Sequence, residues 1–235
     1  MHQTAPSSRA ASLRLAVFDV DGTLIDSQNS IVSAMGHAWQ SHGLMPPERA
    51  AALKMVGLPL AEVIAGLAPD EPPERWESLR ASYSTEWGRM REEGRLSEPL
   101  FPGALTVLDD LDRGGWLLGV ATGKSRRGLD LALKGHDLAQ RFVTLQTSDV
   151  SAGKPNPEML MKAMAETGAT PAFTAMIGDT TYDIRMARNA GTYAIGVSWG
   201  YHEVGELRAA GAHAIIDDFA DLPGTLARLI EVGIP

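Results

Sequence analysis

The sequence predicts an α/β protein: a Rossmann-like, doubly wound parallel sheet core with an inserted α-helical cap. Three observations carry this expectation. From Trp116 onward, short apolar runs alternate with amphipathic helical stretches, the pattern of a parallel sheet covered on both faces. An isolated apolar run, Leu13 to Phe18, precedes them and reads as a buried strand. Between the two lies a block, Ser27 to about Arg95, with helical periodicity and no convincing strand. The expected boundaries are a disordered tail over residues 1–12, a core formed by 13–26 and 97–235, and a helical cap over 27–96.

Each element has its own sequence signal. Met1 to Ser12 is polar, rich in small residues and without an apolar stretch of signal-peptide length. In the helical block, Ile31, Ala34, Met35, Ala38 and Trp39 recur at spacings of three and four, an amphipathic helix. Pro46 and Pro47 break it, Glu48 to Met55 restarts it, and Gly57-Leu58-Pro59 makes a tight turn before the helix Leu60 to Leu67. After the Pro-rich link Pro69 to Pro73, Arg75 to Glu92 forms a longer helix. Trp39, Trp76 and Trp87 read as packing residues of this block. Ser97 to Gly103 returns the chain to the core, with Pro102 placed as the first residue of the helix Gly103 to Asp112. The strand candidates that follow are Trp116–Val120, Phe142–Gln146, Phe173–Ile177, Tyr193–Val197 and Ala214–Ile216.

Composition narrows the function. The 235 residues suit one large domain or a core plus a smaller insert, and the 44% hydrophobic and 21% charged content is that of an ordinary globular protein. A net charge of −8 without a basic stripe argues against nucleic acid as the main partner. No run is apolar and long enough to span a bilayer. With no cysteine in the chain, disulfides, thiolate metal sites and cysteine nucleophiles are all excluded, and a cytoplasmic setting is expected. The six histidines do not cluster at metal-ligand spacing; His37, His42, His136, His202 and His213 read as surface or interface residues.

Four segments carry chemistry. The first apolar run ends in Asp19-Val20-Asp21-Gly22-Thr23. Side chains two apart on extended chain face the same side, so two carboxylates repel there unless a cation offsets them. A hard divalent ion with oxygen ligands, Mg²⁺, is the expected offset. Gly22 permits a tight turn, and the Thr23 hydroxyl can face an anion. The second segment is Thr122-Gly123-Lys124, after the run from Trp116; its hydroxyl and amides suit a phosphoryl oxygen. It imitates a nucleotide-binding P-loop, but only three residues separate Gly119 from Gly123, where that loop needs four. The third is Gly153-Lys154-Pro155-Asn156-Pro157, which offers a point charge in a stiff loop. The fourth is Gly178-Asp179-Thr180-Thr181-Tyr182-Asp183, after the run ending at Ile177. Three of the four begin where a strand stops, the edge at which open α/β sheets bind ligands.

Four such segments in this order resemble the haloacid dehalogenase-like hydrolase superfamily, in its phosphatase branch with an inserted helical cap, and look like the phosphoglycolate phosphatase-type group. The resemblance covers nearly everything from Leu13 onward. It implies that Asp19 is nucleophile and metal ligand. Asp21 is then the general acid/base and lends its backbone carbonyl to the metal. Thr122 and Lys154 complete the catalytic set, with Gly22, Thr23 and Gly123 against the phosphoryl group. Asp179 joins Asp19 on Mg²⁺, while Asp183 either reaches the ion through water or holds Lys154. Lys54, just before the Gly57-Leu58-Pro59 turn, is a candidate substrate contact from the cap. Gly123 departs from the family, where Asn is more common.

The activity implied is a Mg²⁺-dependent phosphatase acting on small-molecule phosphomonoesters of the phosphoglycolate or sugar phosphate type through an aspartyl-phosphate, as a monomer or homodimer. A phosphomutase of the same superfamily would share all four motifs. A non-catalytic aspartyl-phosphate signalling domain is the distant alternative; such receivers are about half this length.

Overall fold

The computed structural model describes residues 12–233. The tail expected over 1–12 therefore lies outside the described residues except for Ser12. Six strands form one sheet: β1 (Arg14–Phe18), β2 (Trp116–Thr122), β3 (Thr144–Thr147), β4 (Thr174–Gly178), β5 (Tyr193–Val197) and β6 (Ala214–Ile216). All pairings are parallel, in the order β3-β2-β1-β4-β5-β6. The chain reverses its direction of winding between β1 and β4. A crevice must open at the carboxyl ends of that pair, because the two crossovers leave it in opposite directions.

Alternation along β1 sorts its residues between two apolar layers. Ala16 and Phe18 face one layer, closed by α5 (Ala104–Arg113), α6 (Arg126–Gly135) and α10 (Leu222–Val232). Leu15 and Val17 face the other, closed by α7 (Glu158–Thr167), α8 (Thr181–Asn189) and α9 (Val204–Ala209). Every residue of β4 and β5 is buried, as a central parallel strand covered on both faces requires.

Four helices stand between β1 and α5: α1 (Gln28–Ser41), α2 (Arg49–Lys54), α3 (Leu60–Leu67) and α4 (Pro73–Glu92). They bury their own apolar cluster, with Met35 and Trp39 from α1, Val63 and Ile64 from α3, and Leu79 from α4. The helical insert thus has an interior separate from the two layers of the sheet.

Among the local differences from the sequence expectation, two bear on packing. Pro102 does not start α5: Gly103, at φ +82°, is the cap, and α5 begins at Ala104. That left-handed φ favours glycine, and a Cβ at 103 would in addition press on Phe219 Cβ at 3.2 Å. Strand β3 begins at Thr144, not Phe142; Phe142 is buried among the helix-layer side chains and contributes apolar area without joining the ladder.

Candidate active site

The first motif is a backbone device before it is a chemical one. The Asp19 amide donates to the Ile177 carbonyl at 3.0 Å, carrying the β1–β4 ladder one residue past Phe18. The chain then turns sharply, and the amides of Leu24 and Ile25 both donate to the Val20 carbonyl at 2.9 Å. Gly22 takes φ +80°, and a Cβ there would fall 2.3 Å from Asp179 Oδ2. No other residue type fits this turn against β4.

The sheet edge brings together side chains far apart in sequence. Asp19, Asp179 and Asp183 are buried, and one oxygen of each lies within 4.8 Å of the others. Lys154 Nζ enters the same cluster, 2.7 Å from Asp19 Oδ2 and 2.5 Å from Asp183 Oδ1. Asp183 is the N3 residue of α8. Its Oδ2 accepts from the Thr180 amide at 3.0 Å and its own amide donates to the Thr180 hydroxyl at 3.4 Å, a capping box, while that hydroxyl lies 2.7 Å from the same Oδ2. Both oxygens of Asp183 are therefore engaged, one by the helix start and one by Lys154. Asp179 Oδ1 accepts from the Thr23 hydroxyl at 2.8 Å and its Oδ2 from the Tyr201 amide at 2.9 Å.

Three buried carboxylates share one buried ammonium, so negative charge is in excess. Burial raises the Asp19 carboxyl to about 7; the Lys154 charge pulls it down and Asp183 pushes it further up. Burial, then Asp183 and Asp19, raise Asp179 well above the usual carboxylate range. Burial works against the Lys154 ammonium, but Asp183 and Asp19 outweigh it and hold its pKa above the ordinary value. A further cation with a preference for oxygen ligands is what this donor set lacks.

Asp21 stands apart from that cluster. Its Oδ1 accepts from the Ser27 hydroxyl at 2.5 Å and pairs with Lys124 Nζ at 3.0 Å. Lys124 also approaches Glu98 Oε1 at 4.0 Å and sits over the Trp87 ring, 5.1 Å from its centroid. Glu98 is paired in turn with Arg91 at 3.1 Å. A chain of charges thus links the core loop after β2 to helix α4 of the insert.

Thr122 is the last residue of β2, buried, and its Oγ1 accepts from the Lys124 amide at 3.3 Å. The cap of α6 is Ser125, which leaves Thr122 free of that duty. A cavity of about 860 Å³ opens between core and insert and is lined by Asp19, Asp21, Thr122, Gly123, Lys124 and, from the insert, the Gly57-Leu58-Pro59 turn.

Lys54 is placed differently from the sequence expectation. It does not line this cavity; its ammonium pairs with Glu206 of α9, on the outside. The end of α2 is held on that side by His202, which bonds the Lys54 carbonyl. Of the histidines read as surface or interface residues, His202 is buried where the insert meets the core. Its Nδ1 accepts from the Thr181 amide at 3.2 Å and its Nε2 donates to the Lys54 carbonyl at 3.0 Å, tying insert to core. Trp87 is not part of the insert's apolar cluster; it lines the cavity, with the Lys124 ammonium over its ring. Ser27, Lys124, Glu98 and Tyr201 carried no sequence assignment. Only Lys124 had a signal, its place two residues after Thr122.

Comparison with known proteins follows the same geometry. A family model described as haloacid dehalogenase-like hydrolase matches residues 16–197. The chain is 35% identical over 221 residues to a Dickeya dadantii (strain 3937) protein named "Probable phosphatase IndB", covering 93% of this chain and 95% of that one. It is 31% identical over 229 residues to the phosphoglycolate phosphatase of Agrobacterium fabrum, covering 93% and 95%. The crystal structure of a hydrolase from Pseudomonas syringae superposes with a TM-score of 0.80 at 27% identity, covering 92% of this chain and 99% of that one.

Proposed function

The chain belongs to the haloacid dehalogenase-like hydrolase family, and from that premise we propose that it is a Mg²⁺-dependent phosphatase of small phosphorylated metabolites, working through a phosphorylated Asp19. One observation carries the reading: Asp19, Asp179 and Asp183 converge on one buried point with a single lysine to balance them. Relatives named as phosphatases support it. Asp19, Asp179 and the Asp21 backbone carbonyl would hold Mg²⁺, with Asp183 holding Lys154. Bound there, the ion supplies positive charge against the phosphate oxygens and keeps the carboxylates ionised.

The residues then divide the work. Thr122, the Gly123 amide and the Thr23 turn orient the phosphoryl oxygens, and Lys154 opposes the charge that builds on them. An Asp19 oxygen attacks phosphorus; the bond to the leaving alcohol breaks, and Asp21 gives that oxygen its proton. Water then attacks the aspartyl-phosphate. Asp21 takes its proton, and inorganic phosphate leaves with Asp19 restored. Ser27 and Lys124 hold Asp21 toward the leaving group and off the acidic cluster. Residues 27–96 act as a cap that excludes bulk water during transfer to Asp19, and a cytoplasmic setting belongs to the same proposal.

A phosphate-release screen over phosphorylated metabolites, with Mg²⁺ and with chelator, tests this. Mg²⁺-dependent release lost in Asp19→Asn is the expected result. Folded protein that releases no phosphate from any substrate, with Mg²⁺ or Mn²⁺ present, would reject it.

A further inference from the structure

The cavity is much larger than a two-carbon phosphorylated acid requires. It follows one stripe of α4, on which Glu77, Arg80, Ser84 and Trp87 all line it. Trp87 is tied through Lys124 to Asp21, so this end of the stripe lies by the acid/base. Glu77 is ten residues earlier, about 15 Å away at the helical rise of 1.5 Å per residue. Apolar side chains line it as well: Leu60 and Val63 of α3 and Leu131 of α6. The guanidinium groups along this stripe are already matched, Arg80 by Glu77 at 2.5 Å and Arg91 by Glu98 at 3.1 Å. The space beyond Trp87 is therefore long and mainly apolar, with Arg127 of α6 adding one further guanidinium to its lining.

We propose that the substrates are phosphomonoesters of alcohols with a bulky apolar group, phenyl-sized or larger, reaching along α4 toward Arg80 and Leu131. The inference rests on the phosphatase reading and narrows it. A two-carbon leaving group would leave most of the 860 Å³ wet and forgo the contacts with Leu60, Val63 and Leu131.

The test uses full-length protein with Mg²⁺ and phosphate esters of primary alcohols of similar acidity: ethyl, 3-phenylpropyl and 6-phenylhexyl phosphate, beside phosphoglycolate. kcat/KM should rise at least about tenfold from ethyl to the phenylalkyl esters. Ala61→Trp and Ser84→Trp, two exposed cavity positions outside the catalytic set, should erase that gain and leave ethyl phosphate unaffected. Equal or better turnover of phosphoglycolate, or phenylalkyl esters indifferent to both tryptophans, overturns the inference. If none of these esters and no member of the metabolite panel releases phosphate, the phosphatase reading falls. Calorimetric binding to Asp19→Asn then decides the cavity's preference alone: tighter binding of 6-phenylhexyl than of ethyl phosphate upholds it, and equal binding overturns it.

Discussion

The Gly57 carbonyl oxygen lies 2.7 Å from the point where a Cβ on residue 123 would stand, and the Leu58 carbonyl oxygen is equally close. Gly123 is thus the seat on which the insert's turn rests, beside Thr122. Gly153, next to Lys154, is a second seat, since a Cβ there would fall 2.3 Å from Pro59 Cγ. An Asn side chain has no room at 123 while this turn is docked. Gly123→Asn should lift the turn, lower kcat/KM by about tenfold or more through misplacement, and shift the melting temperature little. Unchanged steady-state kinetics would show that the docked turn plays no part in turnover.

Asp21→Asn separates the two chemical steps. Loss of the acid/base should lower kcat on alkyl phosphates by about 10²–10⁴-fold. With p-nitrophenyl phosphate, whose leaving group needs no proton, rapid mixing should show a burst of nitrophenolate approaching one per active site, then slow turnover. A variant without a burst and with wild-type steady rate would remove Asp21 from the mechanism.

Lys154 is the sole counter-charge inside the acidic cluster among the described residues. Lys154→Met should destabilise the fold by about 3–5 kcal/mol, because two buried carboxylates lose their partner. Mg²⁺ should recover part of the loss. Denaturant titration with and without the ion measures both effects.

Asp19 gives a pH dependence of definite sign. Burial raises it from 3.8 to about 7, so the native state keeps a proton that the unfolded chain has already released. Stability of chelated protein should fall as pH rises through that window, relative to Asp19→Asn, which carries no such group. Mg²⁺ should stabilise the wild type most at the upper end, where its ligands are ionised. Melting curves of both proteins from pH 4 to 8 check the direction.

Lys54 makes an exposed pair with Glu206 and does not reach the cavity. Lys54→Ala should leave kcat and KM unchanged and stability within about 1 kcal/mol. A large rise in KM would place it against substrate after all.

Strand-end motifs were legible because the chemistry and the local backbone ask for the same residues. Asp19, Asp21 and Gly22 stand where β1 stops, Thr122 where β2 stops and Asp179 where β4 stops. Periodicity located α3, β5 and β6 to the residue. Ser27, Glu98 and Tyr201 were not legible, since a lone serine, glutamate or tyrosine in a loop carries no periodic or spacing signal.

By itself, the sequence determined the alternation of strands and helices, the helical interruption after β1 and the four chemistry-bearing segments, because each depends on near neighbours along the chain. Tertiary structure alone decided what faces what. It put Lys154 between Asp19 and Asp183, Lys124 on Asp21, Lys54 on Glu206 and the Gly57 turn on Gly123. Those meetings follow from how the sheet is wound and how the insert folds back over it, and distance in space is not written in distance along the chain.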